Sequence, residues 1–122
     1  MTARQFAIFE VFYNLGEVAM PVVECIAFGK YDWTQGNAIE VLCRFAAQGL
    51  DRERIVTALV QALPDVRDEA HCYALGPLLH QCETNPALRD VIARLRVVPE
   101  FEQSFQDVMA RTSGREHRTS GD

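Results

Sequence analysis

The breaks in this chain constrain its fold more than its apolar segments do. Helix-stopping residues recur at intervals of about 13 to 21 positions, at Gly16, Gly29, Gly49, Pro64-Asp65, Asn85-Pro86 and Pro99. The stretches between them repeat apolar residues at helical spacing, and almost none alternates as a strand would. The first such stretch, about Arg4 to Leu15, carries Phe6, Ile8, Phe9, Val11, Phe12 and Leu15 on more than one face, which predicts a well-buried helix. A second begins near Glu17 and shows the stripe Val18, Val22, Val23, Ile26, with Pro21 in its first turn, where the missing N–H costs little.

A loop, Lys30-Tyr31-Asp32-Trp33, leads to Thr34 as an expected N-cap and to a third helix over Gln35–Gln48, packing Ala38, Leu42, Phe45 and Ala46. Asp51 is the expected cap for a helix over Arg52–Leu63. Pro64 and Asp65 then stop that helix and cap the next, Val66 to about Cys82, where the interior Gly76-Pro77 predicts a kink or a break. Asn85-Pro86 reads as an N-cap followed by proline at the first helical position, and Pro99 opens the last helix. Residues 1–111 therefore form one helical domain, with 112–122 expected as a disordered tail because no apolar residue anchors them.

Charge narrows the choice of partner. The 122 residues carry a net charge of −5, and the tail's Arg115 and Arg118 cancel Glu116 and Asp122, so the negative balance sits on the folded body. Phosphate backbones are bound through lysine and arginine, so a nucleic-acid ligand is not expected, whereas a basic protein fits. No apolar run approaches the ~20 residues that cross a bilayer. The first residues lack the small-residue cleavage site of a signal peptide, so the expected compartment is the cytoplasm. In that reducing setting Cys25, Cys43, Cys72 and Cys82, all in apolar helical stretches, read as buried thiols.

The motifs that carry chemistry are missing. There is no G-x-S-x-G, no H-E-x-x-H and no phosphate-cradling glycine loop, so no enzyme and no cofactor is expected. His71-Cys72 and His80-x-Cys82 invite a metal reading. Nine residues separate His71 from His80, which turns them to nearly opposite sides of a straight helix, so core cysteines and half-exposed histidines are expected instead. Tyr31-Asp32-Trp33 is the most suggestive cluster: either Trp33 folds back onto the core, or the loop presents an aromatic anchor beside a carboxylate. Asp65, Asp68 and Glu69 extend the second possibility into a partner-binding patch.

Two stretches are alike at a period of about forty residues. Ala19–Ile26 leads through Asp32-Trp33 to Ala38–Leu42, and Ile55–Leu63 leads through Asp65 and Val66-Arg67 to Ala70, Ala74 and Leu75. Over about residues 17–97 this resembles HEAT-type helical-hairpin repeats, although that family usually spaces its turn aspartate several residues before the Val-Arg pair. The expected fold is all-α: a right-handed stack of helical hairpins, or a compact multi-helix bundle of six to seven helices. In size and acidity the chain is also similar to bacterial immunity proteins, which implies a protein-binding module that neutralises a toxin by occluding it. An adaptor or self-associating helical protein, using the first helix or the Phe101/Phe105 face, is the alternative.

Overall fold

A computed structural model describes the backbone of residues 3–121 and the side chains of residues 7–112. It is an all-α bundle of seven α-helices: α1 Ala3–Leu15, α2 Met20–Ala27, α3 Gln35–Gln48, α4 Arg52–Ala62, α5 Asp68–Gln81, α6 Pro86–Leu95 and α7 Pro99–Gly121. Short 3-10 turns at Gly16–Val18 and Leu63–Asp65 complete the path. No described helix is long and apolar enough to cross a membrane. The tail expected over 112–122 falls almost entirely outside the residues whose side chains are described.

The bundle is organised around α3. Ala38, Ile39, Val41, Leu42, Cys43, Phe45 and Ala46 point in every direction around this helix and are all fully buried. A helix apolar on all sides must be surrounded, and α3 packs against α1, α2, α4, α5 and α6. Its small residues set how closely the neighbours approach. A β-carbon on Gly36 would lie 2.6 Å from Tyr73 Cβ and 2.8 Å from the Ala70 carbonyl oxygen, so glycine is what lets α5 rest directly on the start of α3.

The polar residues inside this core are largely provided for. Gln35 Nε2 donates to the carbonyls of Ala27 and Gly29 at 3.0 and 3.2 Å, closing the C-terminal end of α2. Glu40 accepts from Gln81 Nε2 at 2.7 Å, which ties α3 to α5. Arg44, one turn on, donates to Glu10 at 2.8 Å and lies over the Tyr13 ring at 3.8 Å, fastening α1 to α3.

The helix ends follow the punctuation in most places. Gly49 adopts a left-handed φ of +92°, the amides of Gly49 and Leu50 return to Ala46 and Phe45, and Arg52 covers the Ala46 and Ala47 carbonyls. Asn85 caps α6 by accepting from the Leu88 amide at 3.1 Å.

Three expectations are corrected, and at Pro77, where a kink or a break is expected, the break is excluded. Asp51 precedes α4 in a left-handed conformation (φ +46°), and its carboxylate pairs with Arg54 instead of capping an amide. Helix α5 starts at Asp68, not Val66, because Val66 and Arg67 are extended after the turn at Leu63–Asp65. Pro77 does not split α5, which continues to Gln81; Gly76, with no β-carbon to meet the proline ring, keeps the helical backbone available there. Most consequential, α1 is not well buried. It leans chiefly on α3, with Phe9 inward, and leaves Ile8, Val11 and Leu15 about half exposed.

Candidate functional site

The loop between α2 and α3 is held by its own hydrogen bonds. Asp32 Oδ1 accepts from the Thr34 amide at 2.7 Å and from the Thr34 hydroxyl at 2.5 Å, and the Asp32 carbonyl accepts from the Gln35 amide. The two bonds from Thr34 hold the Asp32 carboxyl below the usual carboxylate range. Asp32 is therefore a turn-forming residue with part of its capacity already used. Thr34 occupies the N-cap position of α3, but its side chain serves Asp32 and not the helix.

A turn tied down this way fixes the direction in which Trp33 leaves the backbone. Trp33 does not fold back onto the core: 59% of it is exposed, although the Asn37 side chain grips its backbone carbonyl at 3.5 Å. Tyr31, also exposed, lies under the guanidinium of Arg67 at 4.6 Å. That contact joins the loop to the start of α5, where Asp68 and Glu69 are exposed in the first helical turn. The structure thus brings Tyr31 to the Asp68/Glu69 end of α5. Asp65 stands apart, in the 3-10 turn on the far side of the extended Val66-Arg67 pair.

Beyond Asp68 and Glu69 lies an open cleft of about 510 Å³, lined also by Cys72, Tyr73, Asp107 and Arg111. Tyr73 is 52% exposed. It stands one turn after Glu69, a spacing visible in the sequence, and it is the clearest residue of this face that sequence reasoning passed over. Asp107 and Arg111 come from α7 and carry no sequence signal for their position, since only the packing of α5 on α7 delivers them. Arg111 donates to Cys72 Sγ at 3.3 Å, so one of the two cations here is turned towards sulfur.

The histidines and cysteines of α5 do not converge. His71, expected half-exposed, is fully buried; its Nε2 lies 3.0 Å from the Leu63 carbonyl and its Nδ1 3.1 Å from Ser104 Oγ. With both ring nitrogens committed it has no electron pair to offer a metal. His80 and Cys82 line a separate groove towards α7 with Leu79, Phe105 and Val108. Among the described residues no group of three or more His, Cys, Asp or Glu side chains gathers in a way that could hold a metal ion. The cysteines are all free; Cys43 and Cys82 are buried, but Cys25, expected buried, is exposed. Comparison with family models, with curated proteins and with solved structures finds no match to this chain.

Proposed function

We propose that this protein is a protein-binding module that captures a basic partner through the face formed by Tyr31, Trp33, Tyr73, Asp68 and Glu69. The single observation that carries the reading is Trp33, a large aromatic left 59% exposed on a loop whose hydrogen bonds hold it in place. Exposing a tryptophan forgoes about 1.5–3 kcal/mol of burial that a large apolar side chain otherwise gains. Pre-ordering its loop lowers the conformational cost of binding. Aromatic anchors flanked by charge are the residues on which binding energy concentrates.

The net charge of −5 selects the partner's sign and raises the rate of encounter with a basic protein. The most concrete form of the reading is an immunity protein acting in the bacterial cytoplasm, with Asp32, Asp68 and Glu69 facing a basic active-site cleft of a toxin while Trp33 fills a pocket. Occlusion of this kind needs no chemistry from the binding module. The test is protection: cells expressing the toxin and this protein survive with the native chain and lose protection with Trp33→Ala or with Asp68→Lys and Glu69→Lys together. Full protection by those variants would exclude this face as the contact.

A further inference from the structure

We infer that α1 carries a second interaction surface, and that its occupant is another copy of this chain, paired antiparallel about a two-fold axis near Val11. Ile8, Val11, Leu15, Val18 and Val22 are between 48% and 79% exposed. Their spacing is three, four, three, four. On α1 this puts Ile8, Val11 and Leu15 within about 60° of arc, the narrow seam of a helix that packs against a second helix. Val18 and Val22, exposed in the turn and in α2, follow in the sequence.

Charge decides between possible occupants. The exposed described residues of α1, namely Ala7, Ile8, Val11, Asn14 and Leu15, are all uncharged. Glu10 on the same helix is already paired with Arg44. A basic partner finds nothing to pair with here except Glu17 at the margin. Membrane surfaces attract amphipathic helices that carry several lysines and arginines beside the apolar face; residues 3–29 contain a single arginine, Arg4, against three glutamates. A two-fold interface sets each patch against itself, so it must be uncharged or self-complementary. The chain's acidic faces would repel their copies, and the α1 seam meets the requirement.

With the axis near Val11, Ile8 of one copy faces Leu15 of the other, Val11 meets its own copy, and the two Glu17 side chains fall at opposite ends. A seam on a single helix predicts weak association, which is tested at concentrations from micromolar to about 1 mM. This surface does not include Trp33 or Tyr31, so it stands or falls independently of the proposed function.

Sedimentation equilibrium of the full chain gives the test. The native protein is expected to move from 13.8 kDa to twice that mass as concentration rises. Val11→Glu and Val11→Lys, each placing like charges across the axis, are expected to weaken association at least about tenfold. An equimolar mixture of those two variants is expected to associate again, while Val97→Glu at another exposed apolar position leaves association unchanged. Native protein that stays monomeric to about 1 mM overturns the proposal. So does a mixture that fails to associate, because it denies the two-fold contact at Val11.

Discussion

His71 Nδ1 lies 3.1 Å from Ser104 Oγ, joining α5 to α7 inside the core. The other ring nitrogen is 3.0 Å from the Leu63 carbonyl oxygen, which can only accept, so Nε2 carries a proton; in the neutral ring Nδ1 then accepts from the Ser104 hydroxyl. The edge-on contact of the ring with Phe101 fills the remaining space. One side chain therefore locks the 3-10 turn after α4, helix α5 and helix α7 together.

Removing either end of this bridge has separable costs. Ser104→Ala is expected to cost about 1 kcal/mol, the net value of one buried hydrogen bond. His71→Ala is expected to cost about 2–4 kcal/mol, since it opens a cavity and strands the Leu63 carbonyl. Urea unfolding of both variants checks this, and a Ser104→Ala variant as stable as the native chain would show that the imidazole acts only as volume.

Gly36→Ala is expected to destabilise by about 1–3 kcal/mol, the usual cost of overpacking. Its new methyl would sit 2.6 Å from Tyr73 Cβ and 2.8 Å from a backbone oxygen, so α3 and α5 must part. Thermal unfolding measures the loss, and an unchanged midpoint would mean that α3 and α5 pack less closely at this point.

Glu40 supplies the pH dependence. Burial raises its carboxyl above the ordinary 4.5, outweighing the Gln81 hydrogen bond and the Arg44 charge that favour ionisation. A raised folded-state value means that this group's stabilising contribution is full below about 4.5 and is lost as pH rises through the folded value. Glu40→Gln, which keeps an oxygen to accept from Gln81, is therefore expected to be more stable than the native chain at neutral pH, with the gain vanishing in acid. Chemical denaturation at pH 7 and pH 4 decides it; a gain equal at both values would exclude the titration as its cause.

Thiol labelling of the native protein should separate the cysteines in the order of their exposure. Cys25 reacts first, Cys72 comes second, and Cys82 and Cys43 react only when the structure opens. Burial pushes the Cys43 thiol far above its ordinary value, so even transient access leaves it little thiolate to react. Rapid labelling of Cys43 under native conditions would contradict the central position of α3.

Much of the fold is legible in the sequence because the signals are local. The span of α3, the cap at Asn85, the left-handed glycines 16 and 49 and the start of α7 all follow from spacing and backbone preference. The errors at α1 and His71 have a common source in tertiary packing, whereas those at Asp51 and Val66 lie in the local backbone. The first helix has the bulkier apolar residues, yet α3 takes the centre because its glycine and alanines admit close neighbours. His71 reads as half-exposed until Leu63 and Ser104 arrive from elsewhere in the chain. At the candidate site Tyr31, Asp32, Trp33, Asp68 and Glu69 stand out in the sequence, but that Asp32 is spent on Thr34 and that Arg67 bridges to Tyr31 depends on geometry no spacing encodes.

If Trp33 and the acidic start of α5 form the contact with a basic partner, binding must depend on both. The most direct test is capture from bacterial lysate on immobilised native protein, Trp33→Ala, and the Asp68→Lys, Glu69→Lys pair, with elution by a salt gradient. The native chain is expected to retain one basic protein in stoichiometric amount and release it as salt screens the carboxylates, while both variants fail to retain it although their helical circular dichroism is unchanged. A partner held equally by all three proteins, or one that salt does not release, would contradict the proposed contact.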